Sequence, residues 1–206
     1  MIYNQDCMEA MKEMSDNQFD LAIVDPPYGI GASEMTMGSG KNKKYKKGKK
    51  WDNETPTQKY FNEIQRVSKN QIIWGGNYFA DKLKPTRCYI FWDKGINGDC
   101  DFADGELAWC SFDKVLRKAP IRYKGFLGAD NIRIHPTQKP VKLYEWLLMN
   151  YAKEGDTILD THLGSGSIAI ACHNLGFELT SYEIDKEYFE AAKKRIEQYK
   201  QQARLW

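Results

Sequence analysis

The sequence predicts an α/β chain built on a doubly wound, mainly parallel sheet with helices on both faces. Three observations predict it. Short apolar runs rich in β-branched and aromatic residues alternate with stretches whose apolar residues recur at helical spacing. The runs are continuously apolar rather than alternating, as strands covered on both faces are. One of them leads into a glycine-rich turn that opens a helix, the arrangement by which α/β sheets approach a ligand. With 206 residues, 42% of them hydrophobic, the chain is expected to form a single domain over 1–206.

The strand candidates are "DLAIVD" (20–25), "NQIIWGG" (70–76), "RCYIFWD" (87–93), "TILDT" (157–161) and "ELTSYEI" (178–184). Thr55, Pro56 and Gln58 read as a helix start, with a capping hydroxyl, a proline in the first turn and a reciprocal cap three residues on. Phe61, Ile64 and Val67 follow on one face of that helix. Tyr144, Leu147, Leu148 and Tyr151 form a second stripe, residues 167–175 a third helix closed by Gly176, and Phe189, Ala192, Ile196 and Tyr199 a fourth stripe.

Composition narrows the function classes. No cationic stretch followed by an apolar run opens the chain, and no apolar segment is long enough to span a bilayer, so membrane insertion and secretion are not expected. Five cysteines in an odd set without a close pair argue against a disulfide framework and a zinc site, and fit a cytoplasmic location. Charge is concentrated. The net charge is +2, yet residues 41–50 ("KNKKYKKGKK") carry seven lysines and no acid, which leaves −5 on the rest. The surrounding segment 31–54 lacks apolar periodicity; it reads either as a solvated loop or as an arm that binds phosphates through Lys43, Lys44, Lys46 and Lys47.

Two strand ends carry chemistry. In "ILDTHLGSGSIAIA" (158–171), Gly164 and Gly166 let a backbone and a helix N-terminus approach a ligand closely. Glu183, one helix and one strand further on, has the spacing at which an acid accepts from two ribose hydroxyls. Together they point to a nucleoside-bearing cofactor; no GK[ST] follows, so a phosphate P-loop is not indicated. In "DPPYG" (25–29), the prolines fix φ and remove backbone donors, leaving the Pro26 carbonyl rigidly aimed beside the Asp25 carboxylate. Two adjacent acceptors match a planar amino group, and Tyr28 offers a flat face on which a base can stack.

"DPPYG" (25–29), "DTHLGSGS" (160–167) and "HPTQKP" (135–140) resemble the signature motifs of the amino-group DNA methyltransferases, enzymes that use S-adenosylmethionine to methylate adenine or cytosine amino nitrogens. The order, catalytic motif first and cofactor motif near the C-terminus, resembles the circularly permuted β-group, and "GELAWCSFDKVLRKAPIRYKGF" (105–126) resembles small phage and prophage methylases. The resemblance implies a Rossmann-like methyltransferase fold and roles for matching positions. Asp25, Pro26, Pro27 and Tyr28 would be catalytic. Asp160, Gly164 and Gly166 would line the methionine side of S-adenosylmethionine, Glu183 its ribose, Asp6 and Cys7 its adenine, and Thr137, Gln138 and Lys139 would close over the methionine end. His162 replaces the usual phenylalanine and is expected to pack or hydrogen-bond in its stead; His135 is expected to be structural.

The implied activity is base flipping of duplex DNA and methyl transfer to the exocyclic amino nitrogen of adenine, since relatives with Asp first usually modify adenine. Cytosine N4 and a catalytically idle DNA-binding relative stay open. Apart from the lysine segment, DNA contact is expected from 94–130, where Lys94, Lys114, Arg117, Lys118, Arg122 and Lys124 alternate with aromatics. A partly solvated β-hairpin is the bland reading of that segment. A homodimer is compatible with the sequence.

Overall fold

Eight strands form one sheet in the order β1-β8-β7-β2-β3-β5-β4-β6. The computed structural model describes residues 1–32, 51–95, 103–122 and 134–201. In chain order the elements are β1 (Ile2–Tyr3), α1 (Cys7–Lys12), β2 (Phe19–Val24), α2 (Gln58–Val67), β3 (Ser68–Trp74), β4 (Tyr89–Asp93), β5 (Gly105–Cys110), β6 (Arg117–Ala119), α3 (Val141–Tyr151), β7 (Thr157–Asp160), α4 (Ser167–Leu175), β8 (Glu178–Tyr182) and α5 (Lys186–Gln201), with a short 3-10 turn at Gly76–Tyr78 after β3. All neighbouring pairs are parallel except the two made by β5, which runs antiparallel to both β3 and β4.

The two-faced burial read from the apolar runs is visible strand by strand. On β2, Leu21 and Ile23 pack into a cluster with Leu143 and Leu147 of α3, Ile168 and Ala171 of α4 and Ala192 of α5. Ala22 and Val24 point the other way, toward Met11 of α1 and Phe61 and Ile64 of α2. Helices therefore cover both faces, and each fully buried aliphatic side chain contributes about 1.5–3 kcal/mol of transfer free energy. Among the described residues no helix is long and apolar enough to cross a membrane.

The helix after Thr55 starts later than its sequence signal. Thr57 is the N-cap and makes no side-chain cap bond. Thr55 Oγ1 instead accepts from Lys82 Nζ, and Gln58 donates to Asn62 Oδ1 and the Lys82 carbonyl. The residues that spell a capping box are spent on tertiary contacts.

Candidate functional site

β2 ends at Val24, and the chain turns through Asp25-Pro26-Pro27-Tyr28 at the carboxyl edge of the sheet. The prolines donate nothing, so the next amides need partners, and one carboxylate supplies them. Asp52, 1% exposed, accepts from Tyr28 N at 2.6 Å, Gly29 N at 3.0 Å and Ala32 N at 2.7 Å. Its carbonyl also accepts from Gly31 N. Asp52 was not among the residues singled out in the sequence. Its only signal is an acid beside Trp51 at the end of the lysine segment, which nothing local connects to a turn some 24 residues earlier.

The side chains of that turn enter a cluster of charges. Lys139 Nζ lies 2.6 Å from Asp25 Oδ2, 3.0 Å from Glu106 Oε2 and 3.1 Å from the Tyr28 hydroxyl. The Tyr28 O–H donates to Asp25 Oδ1 at 2.6 Å, with Glu106 Oε2 at 3.3 Å. Lys94 Nζ pairs with the other Glu106 oxygen at 2.7 Å. Two carboxylates and two ammoniums thus balance in a half-buried pocket, with Lys139 only 3% exposed. Burial pushes the Asp25 carboxyl up, Lys139 pulls it partly back and the Glu106 charge adds to the rise. Glu106 is also penalised by burial, but Lys139 and Lys94 outweigh it and bring it down to about 2. For Lys139 the two carboxylates outweigh burial and keep it an ammonium. Burial and the Asp25 and Glu106 charges hold the Tyr28 phenol well above its usual range, so its O–H remains a donor. Glu106 went unremarked in the sequence because an acid at the start of an apolar strand looks like a solvated strand end.

The second constellation forms where β7 and β8 end. Glu183 Oε2 accepts from Gly164 N and Oε1 from Asp185 N, both at 2.9 Å. Gly166 is the N-cap of α4 at φ +76, and a Cβ there would meet Ile196 Cδ1 at 2.9 Å; α5 packs that closely on the turn. Arg195 of α5 binds the Ser165 carbonyl and Ser167 Oγ. An added Cβ at Gly164 would meet only ordinary contacts by contrast, the His162 carbonyl at 3.8 Å and the His135 ring at 4.0 Å. Asp160 is buried, accepts from Ser181 Oγ–H and His162 N–H, and is raised to about 7, chiefly by burial.

A cleft of about 270 Å³ runs from Pro27 to Glu183. Asp6, Cys7 and Glu183 line it together with Pro27 of the proline turn, Tyr60 and His162. Its volume is near the lower bound for small-molecule sites. Asp6 caps α1 by accepting from Met8 N, and burial followed by the Asp6 charge pushes the Cys7 thiol up to about 12, so Cys7 contributes shape rather than nucleophilicity. His162 packs edge-to-face on Tyr60 at 5.6 Å and hydrogen-bonds Thr161 Oγ1; burial lowers it to about 4, a neutral ring. His135 accepts from Thr137 N and shares a bond with its hydroxyl, fixing the "HPTQKP" turn, and Gln138 Oε1 accepts from Ile134 N. Lys139 leaves this group: its ammonium reaches Asp25 of the proline turn rather than the glycine turn.

The expected DNA-contacting residues divide. Lys43, Lys44, Lys46, Lys47 and Lys124 lie outside the described residues. Lys114 lies 4.8 Å over the Tyr151 ring, Lys118 pairs with Asp93, Arg117 is exposed on β6, and Arg122 packs against Gly95. Lys94 faces inward to Glu106, and β5 and β6 lie in the sheet rather than beside it.

Comparison with known proteins agrees with the fold. Type II methyltransferase M.HpaI of Haemophilus parainfluenzae is 26% identical over 229 residues, spanning 92% of this chain and 72% of that protein. Among solved structures, M1.HpyAVI in complex with SAM superposes with a TM-score of 0.59 at 21% identity, covering 95% of this chain and 98% of the other. The cytosine-N4-specific PvuII DNA methyltransferase superposes with a TM-score of 0.61 at 12% identity, covering 96% and 90%. A family model described as DNA methylase matches residues 73–194, which run from β3 into α5 and contain both "HPTQKP" and the glycine turn. This chain, in whose sheet the proline turn after β2 precedes the glycine turn after β7, belongs to the DNA methylase family of amino-group methyltransferases.

Proposed function

We propose that this single-domain protein transfers a methyl group from S-adenosylmethionine to the exocyclic amino nitrogen of adenine in duplex DNA, acting in the cytoplasm. One observation carries the reading: Pro27 of the amino-accepting turn and Asp6, Cys7 and Glu183 of the nucleoside-sized cleft line one continuous space. The residues present fit the cofactor. Glu183 lines the cleft with its carboxylate beside the glycine turn, Asp6 and Cys7 border the adenine end, and Gly164 with buried Asp160 would stand at the methionine end. When bound, S-adenosylmethionine supplies an electrophilic methyl group on a sulfonium.

Every other task falls to the chain. The target base leaves the stack at a cost of a few kcal/mol, and Tyr28, already stacked on Tyr78 at 5.0 Å, offers it an aromatic face. Asp25 and the Pro26 carbonyl accept the two amino hydrogens. Holding both draws the nitrogen lone pair out of ring conjugation and aims it along one line, so the acceleration comes from orientation and preorganised charge. Asp52 keeps the turn rigid through its three amide contacts. The lysine segment 31–54, with Lys114, Arg117 and Arg122, supplies phosphate contacts that position the duplex.

Adenine is favoured by the aspartate that opens "DPPYG". Cytosine N4 is the second reading, because the acceptor pair fits either amino group and the similar PvuII enzyme is cytosine-N4-specific. The test is to incubate the protein with unmethylated duplex DNA and labelled S-adenosylmethionine, digest to nucleosides and identify the labelled one by mass spectrometry. Labelled N6-methyladenine is expected. Labelled N4-methylcytosine would overturn the base, and no label in duplex DNA would overturn the activity. Asp25→Ala is expected to abolish transfer while cofactor binding by calorimetry stays within about threefold; transfer at the parent rate would remove the acceptor pair from the mechanism.

A further inference from the structure

Glu106 is the carboxylate of the charge cluster for which amino-group recognition has no use. It comes from β5, the strand antiparallel to both its neighbours, and meets the Asp25 turn through Lys139 and the Tyr28 hydroxyl. Lys139 has three N–H bonds, and the three oxygens near it belong to Asp25, Glu106 and Tyr28. Glu106 therefore holds one ammonium in common with Asp25 and a second, Lys94, for itself. Asp25 has only the shared one.

This asymmetry bears on a step that amino methylation requires. A methylated amino nitrogen carries an extra proton and must lose it. One N–H bond breaks, its electron pair returns to the nitrogen and the ring, and an O–H bond forms on a neighbouring acceptor, which later releases the proton to water. Two carboxylates lie at the turn, and their unequal share of positive charge decides which one accepts.

We propose that Glu106 is a positioning residue for methyl transfer: by sharing Lys139 with Asp25 and remaining an anion paired to Lys94, it makes Asp25 the carboxylate that takes the proton. The inference rests on the methyltransferase reading. Other groups facing Asp25 leave the assignment intact: Tyr28, Tyr60 of α2 and Tyr144 of α3 stay protonated through burial, and the Asp160 carboxyl lies on the cofactor side. Burial and the Glu106 charge both raise Asp25, whereas two lysines hold Glu106 low, the divergence that separates an acid–base group from a fixed charge.

The test follows Asp25 directly by carbon-13 NMR titration of labelled aspartate carboxyls, assigned with Asp25→Asn. Glu106→Gln keeps the shape and removes the anion. Asp25 is expected to titrate at least one pH unit lower, the acid limb of the kcat–pH profile to move the same way, and kcat to fall tenfold or more with KM for S-adenosylmethionine within twofold. Lys94→Met removes the outer cation and is expected to move Asp25 in the opposite direction. General loosening would shift both variants toward the ordinary aspartate value, so opposite signs distinguish the role from damage. If Glu106→Gln does not fold, Lys94→Met carries the test alone. An Asp25 titration unmoved by either change in a wild-type protein that methylates DNA would overturn the role of Glu106. A wild-type protein that transfers no methyl group would overturn the function, and the role with it, whatever the titration shows.

Discussion

Gly75 and Tyr28 occupy adjoining space so tightly that a Cβ on the glycine would lie 2.3 Å from the tyrosine ring. Gly75 follows β3 in the left-handed region at φ +73, and the ring it admits is bounded by Tyr78 at 5.0 Å and Phe79 at 6.1 Å. Tyr28 cannot yield toward either of those rings. Gly75→Ala should therefore displace the ring, cost about 1–3 kcal/mol by overpacking and lower kcat for methyl transfer at least tenfold. Cofactor affinity should hold within about twofold. Thermal melting and single-turnover kinetics check it, and a variant with parent kcat would show that ring placement does not matter.

Asp52→Ala strands the amides of Tyr28, Gly29 and Ala32. A buried donor left without a partner costs about 1–3 kcal/mol, so the loss of all three should lower stability by at least about 3 kcal/mol and methyl transfer more than tenfold. Asp52→Asn, which keeps acceptor oxygen at one position only, should fall between. Urea melts and methyl-incorporation rates order the three proteins.

Asp160 makes stability depend on pH in a stated direction. Its folded value of about 7 lies above the ordinary 3.8, so between those limits the folded protein binds this proton more tightly than the unfolded chain. Its contribution to stability is present in full below the unfolded value and is lost as pH rises through the folded one. Wild-type stability minus that of Asp160→Asn should thus decline by about 1.4 kcal/mol per pH unit across this window and be flat below it. Urea denaturation from pH 3.5 to 7.5 measures the difference; a flat difference would mean that Asp160 is not raised.

Replacing the seven lysines of 41–50 with glutamine should flatten the salt dependence of DNA binding, each lost phosphate contact removing about 0.9 from the logarithmic slope. Fluorescence anisotropy at 50–200 mM salt reads the slope, and an unchanged one would leave the segment a passive loop.

Local chemistry by itself determined much of this molecule. The apolar runs at 20–25, 70–76 and 157–161 read as strands buried on both faces and lie in β2, β3 and β7, and the prolines after Asp25 and the glycines after Asp160 advertise their turns because backbone restriction is a property of single residues. β1 and β6 are too short to show a period, and β5 carries a half-buried acid near its start that breaks one. Only tertiary structure could decide the rest. Asp52, Glu106 and Lys139 reach the catalytic turn from 24, 78 and 111 residues away along the chain, as counted from Tyr28. A charge becomes a clasp or a counter-ion through the desolvated partner it meets, and that meeting is made by the order of strands in the sheet rather than by any stretch of sequence.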